Sequence, residues 1–269
     1  MRGVSRASLA ETTERLDAVL PSANAAVLGE ELFEVVGLLT AQHSLRRWLA
    51  DPANSADAKS GLVGSLLESK VSPSAVLIVS DVVRAKWSSR RDLIDAVERM
   101  AVYSTVSAAE GQQRLDDLED ELFRFSRIVV AQPELRAALT NTSVSVDHKR
   151  ELLRDLLADK VNAASLVLVT EAVVRPRGRT LEQALEKLAQ LVAERAQRYI
   201  AVVRTAVALD DAQQERLQAS LSRKYGRTIH LNIEVVPELM GGMSIRIGDE
   251  VIDGTVSGRI AEIRRRLAG

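Results

Sequence analysis

The chain has 269 residues, 46% of them apolar but only 3% aromatic, with 14 Gly, 6 Pro and no Cys. That composition excludes a disulfide framework and a thiolate metal site and points to an aliphatic, helix-rich core. Lys and Arg balance Asp and Glu to a net charge of −1, so no whole-molecule field draws the chain to nucleic acid or a membrane surface. No apolar run approaches the ~20 residues of a membrane span. The opening stretch, MRGVSRASLAETTERL, lacks the apolar centre of a secretory signal. The expectation is a soluble, intracellular, mainly α protein.

Ser5 to Leu20 carries Leu9, Leu16 and Leu20 at helical spacing and predicts a first helix, ended by Pro21-Ser22-Ala23-Asn24. Val27 to Leu49 reads as one helix through Leu32, Val35, Val36, Leu39 and Leu45, stopped at Asp51-Pro52. Lys59 to Leu67 predicts a short helix with Leu62, Leu66 and Leu67 on one face. Ser72-Pro73-Ser74 opens another over Ala75 to Arg84, and Trp87 to Arg91 forms a polar corner. Leu93 begins a long helix through Val97 and Met100 to about Val106.

The pattern then returns. Leu32-Phe33, Leu45, Leu49, Lys59, Leu62, Leu66-Leu67, Lys70-Val71, Val79 and Val83 recur as Leu122-Phe123, Leu135, Leu139, Lys149, Leu152, Leu156-Leu157, Lys160-Val161, Val169 and Val173, each 90 residues on. Arg99 and Tyr103 match Arg195 and Tyr199 at an offset of 96, with the extra residues expected in the corner Arg175-Pro176-Arg177-Gly178-Arg179. Two tandem helical bundles are predicted, residues 1–110 and 111–200, with the helix from about Leu93 to Gly111 closing the first and opening the second.

From residue 201 the character changes to a small α+β module over 201–269. Val202-Val203 and Ala206-Val207-Ala208 suggest a strand, and Asp210-Asp211 caps a helix to Tyr225, with Gly226 beyond its end. Ile229, Leu231, Ile233 and Val235 alternate with polar residues as a half-buried strand. Gly241-Gly242 allows positive φ; Met243, Ile245 and Ile247 then alternate into a strand, and Gly248-Asp249 turns it back through Glu250 to Ile252. After Asp253-Gly254-Thr255, residues Val256, Ile260, Ile263 and Leu267 share one helical face.

Catalytic equipment is not visible. There is no phosphate-binding G-x-x-x-x-G-K-[ST], no G-x-G-x-x-G and no H-E-x-x-H. His43, His148 and His230 sit in unrelated places, without neighbours at ligand spacing. Asp116-Asp117 and Glu119-Asp120-Glu121 interleave with Leu115, Leu118 and Leu122, which reads as a wet helix face. Arg175, Arg177 and Arg179, and Arg264-Arg265-Arg266, read as helix-end charge or contacts to an acidic partner, because stacking aromatics and a basic surplus are missing. Trp48 and Trp87 fit half-buried core positions as well as interface anchors.

The tail carries a resemblance. Val235-Val236-Pro237-Glu238-Leu239-Met240-Gly241-Gly242, an apolar strand, a glycine turn and Val251-Ile252-Asp253-Gly254-Thr255 resemble the C-terminal signature of the delta subunit of F-type ATP synthase. In mitochondria that subunit is called oligomycin-sensitivity-conferring protein. Val236 stands where the family usually has Asp, and Thr255 where it usually has Ser. The bundles resemble the family's single helical domain, counted twice. The resemblance implies a non-catalytic stator subunit of a proton-translocating synthase, with no cofactor and no metal. Its implied place is peripheral, at the cytoplasmic face of a bacterial plasma membrane. Implied partners are the N-terminal segments of alpha subunits and the C-terminal helix of the b subunit, with beta subunits as a further neighbour. The alpha grip would fall on the first and penultimate helices of a helical domain. In this chain that suggests Leu9, Leu16 and Leu20 facing Leu93, Val97 and Met100. The matching wall of the second bundle would carry Leu181, Leu185 and Leu188. The b-binding or b-shaping set would be Leu239, Gly241, Gly242, Asp253, Gly254, Ile260, Ile263 and Leu267. A helical adaptor of another complex and an enzyme are the other readings considered.

Overall fold

The computed structural model describes residues 3–197, 200–225, 229–237, 239, 241–247 and 250–254. The chain divides into two compact units, Met1–Ala193 and Glu194–Gly269. The first is built from helices α1 (Val4–Val19), α2 (Ala25–Ala41), α3 (His43–Ala50), α4 (Ala56–Leu67), α5 (Pro73–Arg84), α6 (Arg90–Gly111), α7 (Leu115–Ala131), α8 (Pro133–Thr140), α9 (Val146–Leu157) and α10 (Ala163–Val174), and most of α11 (Leu181–Gln197). The second holds β1 (Ile200–Thr205), α12 (Asp211–Tyr225), β2 (His230–Val235), β3 (Met243–Ile247) and β4 (Glu250–Asp253). The protein is thus mainly α with a small α+β module.

Short polar residues open these helices by accepting from the first turn's amides. Ser55 Oγ accepts from Ala58 N at 3.2 Å, Ser72 Oγ from Ala75 N at 3.3 Å, Ser89 Oγ from Asp92 N at 3.1 Å and Asn162 Oδ1 from Ser165 N at 3.0 Å. Each such cap contributes roughly 1 kcal/mol. The run from Val27 to Leu49 is not one helix. It breaks at Gln42 (φ −95°, ψ 81°), and Arg46 Nη1 reaches back to donate to Leu39 O at 3.2 Å. The guanidinium so satisfies a carbonyl that the break leaves open.

Helices α2, α3, α4 and α5 recur as α7, α8, α9 and α10, with both ends of each displaced by 90 residues. The latches recur too. Glu31 accepts from Ser72 N at 2.8 Å and Ser72 Oγ at 2.5 Å; Glu121 accepts from Asn162 N at 2.9 Å and Asn162 Nδ2 at 3.0 Å. Glu121 is therefore not on the wet face its acidic neighbours suggested; it ties the start of α10 to α7. Displaced by the same 90 residues, α1 falls on Ile94–Ala109, inside α6. Helix α6 thus serves as the last helix of one bundle and the first of the next.

That double role explains its burial. Leu93, Ala96, Val97, Met100, Ala101, Val102, Ser104 and Val106 are all at 0% exposure, which leaves no wet stripe over most of the helix. Ser104 and Thr105 are buried only because their hydroxyls donate to Met100 O (2.9 Å) and Ala101 O (3.0 Å). Helix α2 packs along α6 at Gly29, where a Cβ would lie 2.5 Å from Thr105 Oγ1 and 3.3 Å from Ala101 O.

The two bundles are also joined by charge. In the first, Ser5 Oγ donates to Asp92 and accepts from Ser88 N, both at 2.8 Å, and Ser8 Oγ donates to Lys86 O at 2.7 Å. The residues 90 further on, Asp95 and Glu98, meet the arginine corner instead. Arg177 lies 2.6 Å from both Asp95 and Glu98, and Arg179 spans the two Glu98 oxygens at 3.2 Å. Arg177 adopts φ 54°, a left-handed conformation disfavoured for a residue with Cβ, and these two carboxylates hold it there. Arg175 pairs with Glu171 and, at 2.8 Å, with Glu34 of α2. The acidic partner expected for this corner is inside the molecule.

The corner between α10 and α11 is only one residue longer than that between α5 and α6, six residues (175–180) against five (85–89). With Arg99 matched to Arg195, the rest of the insertion lies at the start of α11, where Leu181, Ala184 and Leu185 are buried. The extra residues therefore extend a helix more than a loop.

In the second unit the sheet order is β2-β1-β3-β4, with β1 and β2 parallel and the other pairs antiparallel. Helix α12 makes the crossover between the parallel strands. It opens with Asp210 Oδ1 accepting from Gln213 N at 2.7 Å while Gln213 Oε1 accepts from Asp210 N at 3.0 Å, a reciprocal cap. Ala201, Val203, Leu221, Ile229, Ile245 and Ile247 form the core, with Leu217, Leu231 and Ile233 against it. Strand β1 ends at Thr205, short of Ala206-Val207-Ala208, and Val207 is 72% exposed.

Two outcomes follow from this packing. Gly29→Ala should destabilise the protein by about 1–3 kcal/mol, because α2 and α6 must separate. A lower urea midpoint at unchanged slope, partly restored by Thr105→Ala, would show it; no change would mean the helices do not approach so closely. The second concerns Glu171, whose carboxyl burial raises above its ordinary 4.5 although Arg175 opposes that rise. A carboxyl raised in the folded state contributes stability below its unfolded pKa and loses it as pH rises through the folded value. Removing the opposing cation enlarges that loss. Arg175→Met should therefore cost about 3 kcal/mol at pH 8, and the deficit should shrink as pH falls towards 5. A deficit independent of pH would contradict the pairing.

Candidate docking surfaces

Among the described residues no group of three His, Asp or Glu side chains converges as a metal site, and no helix is long and apolar enough to cross a membrane. The residues proposed for an alpha-subunit groove divide sharply. Leu16, Leu93, Val97 and Met100 are at 0% exposure and hold α1 against α5 and α6, while Leu9 and Leu20 are half-buried. The penultimate helix of the first bundle is α5, so the outer surface between first and penultimate helices is the α1–α5 face.

That face has a definite chemistry. Asp81 of α5 lies close enough to Arg15 and Glu11 of α1 to feel both: burial pushes its carboxyl upward, Arg15 and Arg84 pull it down, and Glu11 adds to the rise. One helical turn from Asp81, Leu77 is 49% exposed. An open leucine one turn from Asp81, which itself lies near Glu11 and Arg15, offers an apolar anchor with charges of both signs close by.

The equivalent face of the second bundle, between α6 and α10, is treated differently. Helix α2 packs on both α6 and α10. Phe33 and Val36 of α2 meet Ala172 of α10 and Ala184 and Leu188 of α11 around a residual space of only about 10 Å³, while beside them Leu166, Val167 and Thr170 of α10 line an open groove of about 410 Å³ with Glu30 and Glu34 of α2. Glu34 of the same helix pairs with Arg175 and, at 3.3 Å, with Arg150. Leu181, Leu185 and Leu188, offered as a second wall, are 2–4% exposed and belong to the core.

In the tail, Gly241 and Gly242 take φ of 122° and 80°, which residues with Cβ rarely adopt. They turn the chain from Leu239, half-buried with its amide on Val236 O at 3.1 Å, into β3. Gly254 N donates to Met243 O at 2.9 Å and closes the far end of the hairpin, next to the exposed Asp253. Ile260, Ile263 and Leu267, the last-helix face and Arg264-Arg265-Arg266 lie outside the described residues. Val236 N, at the position where the family usually has Asp, donates to Thr205 O at 2.8 Å, so the backbone anchors this point.

Sequence reasoning missed Leu77 and Asp81. A leucine in an apolar helix reads as core, and only the packing of α1 shows which side of α5 stays open.

Comparison with known proteins accords with these features. The sequence pattern of the family described as ATP synthase delta (OSCP) subunit matches residues 101–267. The ATP synthase subunit delta of Thermobifida fusca (strain YX) is 67% identical over 269 residues, covering 100% of both chains. That of Streptomyces coelicolor is 47% identical over 270 residues, 100% of this chain and 98% of its own. A chain of the Toxoplasma gondii mitochondrial ATP synthase hexamer is 18% identical over 62% of this chain and 97% of its own, at a TM-score of 0.34. With a match over most of its length and full-length relatives at this identity, the chain belongs to the ATP synthase delta (OSCP) subunit family.

Proposed function

We propose that this chain is a non-catalytic peripheral-stalk subunit of a proton-translocating F-type ATP synthase, joining the alpha/beta head to the b subunit and resisting the torque of the rotor. Its place would be peripheral, at the cytoplasmic face of a bacterial plasma membrane. When a central rotor turns, the head feels an equal reaction torque, and a stator must hold it still. A helical adaptor with a close-packed core suits that load, because such cores have low compressibility. Family membership supports the assignment, and the arginine–carboxylate joint between the bundles adds stiffness in the right place.

The three functional segments proposed are 1–110, 111–200 and 201–269. The first would grip the N-terminal segment of an alpha subunit, on the α1–α5 face around Leu77 with Leu9 and Leu20 at its edge. The observation that supports this is the packing of α2 on α6 and α10, which makes α2 one wall of the second bundle's copy of the face, beside Val167, while Leu77 in the first bundle stands 49% exposed. A second reading places the grip on residues 111–200, and it rests on the family pattern beginning only at residue 101. The last segment would hold the C-terminal helix of b, with Leu239, Gly241, Gly242, Asp253 and Gly254 shaping the hairpin that presents it. Beta subunits would be neighbours rather than anchors.

Titrating the full chain with an alpha N-terminal peptide separates the two bundle assignments. The peptide is expected to be disordered when free, so ordering it offsets several kcal/mol and the affinity should be about micromolar. Leu77→Glu should weaken binding at least tenfold, and Val167→Glu, the same position 90 residues on, should leave it unchanged. The reverse result would move the grip to the second bundle. For the tail, Gly242→Val should cost roughly 1–3 kcal/mol in the second unit, the range for other strained positions. It should also weaken binding of a b C-terminal peptide while the helical unit melts as before. Normal b binding by a folded variant would contradict the tail's assignment.

A further inference from the structure

Most solvent-facing positions have diverged between the repeats: Glu34 against Arg124, Gly37 against Arg127, Trp48 against Ala138, Gly61 against Glu151, Ser65 against Asp155. One surface has diverged far less. In the first bundle, α2, α3 and α4 enclose an open groove of about 590 Å³ lined by Leu38, Gln42, Leu45, Leu62, Leu66 and Lys70, with Leu67 and Val71 at its floor and end. Ninety residues on, these eight stand as Ile128, Gln132, Leu135, Leu152, Leu156, Lys160, Leu157 and Val161, with one Leu-to-Ile exchange; only at the α2 rim do the repeats differ, where Glu34 and Val35 also line the groove and Arg124 and Phe125 take their places. Apart from Leu67 at the floor, the eight matched residues are not kept by burial. Leu38 is 36% exposed, Ile128 44%, and Leu152 and Leu156 37% each. Leucines left this open in one repeat and retained in the other have no packing reason to persist together.

We propose that these twin surfaces, α2–α3–α4 and α7–α8–α9, each dock an amphipathic helix, and that both helices have the same sequence because they come from two copies of one partner chain. Leu62 and Leu66, like Leu152 and Leu156, are one turn apart and open beside the end of the preceding long helix, which suits an apolar stripe of about two turns. The charge at the end fixes the occupant's chemistry further. Lys70 and Lys160 are exposed, and among the described residues neither pairs with a carboxylate. The helix that fits therefore carries an Asp or Glu one turn beyond its apolar stripe. Duplicate surfaces with one apolar stripe and one terminal lysine suit a chain present more than once in the assembly better than two unrelated partners. This goes beyond the reading of the α1–α5 face and does not depend on which bundle meets the alpha N-terminus.

Site-specific photo-crosslinking in the purified assembly tests it. A benzophenone amino acid replaces Leu66 or Leu156 of the full chain, the complex is purified through a tag on this chain, irradiated and digested, and the crosslinked peptides are sequenced. Both positions are expected to capture the same segment of one partner, an apolar-striped helix followed by an acidic residue. Lys70→Glu should lower the yield at Leu66 at least fivefold and leave that at Leu156 unchanged; Lys160→Glu should do the converse. Different partners at the two positions, capture of a second copy of this chain, or no crosslink from an intact complex would each overturn the proposal. If the tagged chain brings down no synthase subunits at all, it is the stator assignment that fails.

Discussion

The burial of α6 on all sides is the constraint on which the helical unit depends. A helix with a wet face can be a boundary; one without a wet face must be shared. Helix α6 has no dry neighbour to spare, because α1, α2 and α5 pack on it from one repeat and α7 and α10 from the other. Its composition is adapted to that crowding: small residues at Ala96, Ala101 and Ser104 let neighbours approach, and Gly29 lets α2 come closest. The repeats cannot be separated without exposing this helix, and exposing it returns its buried apolar side chains to water.

The same sharing explains why the repeats are unequal. Where the first bundle closes α1 against the α5–α6 corner with two serines, the second must close α6 itself against the α10–α11 corner. Serine hydroxyls suffice at the outer helix. At the inner one, Asp95 and Glu98 take the equivalent positions and draw in Arg177 and Arg179. Buried pairs of this kind contribute little net stability against an apolar alternative, but breaking one side is costly, so they fix geometry. In the proposed stator role, a fixed joint between bundles would be the useful property.

Much of this was legible in the sequence. The 90-residue offset, most helix starts, the role of Leu93 to Gly111 as a linking helix and the alternation of β3 all follow from local patterns. The break at Gln42 was not legible, because apolar spacing continues through it and the carbonyl that Arg46 satisfies becomes visible only once the helix has turned. The arginine corner was read as helix-end charge or a contact to an acidic partner, and the partner could not be named because the carboxylates that meet Arg177 and Arg179 lie about eighty residues away in the chain. The core positions of Leu16, Val97 and Met100 were legible as apolar but not as inaccessible, since periodicity tells which residues share a face and not what covers it. Leu77 is the converse case, apolar by pattern and open by packing. The parallel pairing of β1 with β2 depends on the α12 crossover and has no signature in either strand alone.

The central claim is that the two repeats form one mechanical body through α6. Native-state hydrogen exchange across a urea series measures this directly on the full chain. The account predicts that α6 amides exchange only with global unfolding of the helical unit, and that amides of α2, α5, α7 and α10 merge into that same isotherm with the same slope. Two separate isotherms, one for α1–α5 and another for α7–α11, with α6 following only one of them, would contradict it.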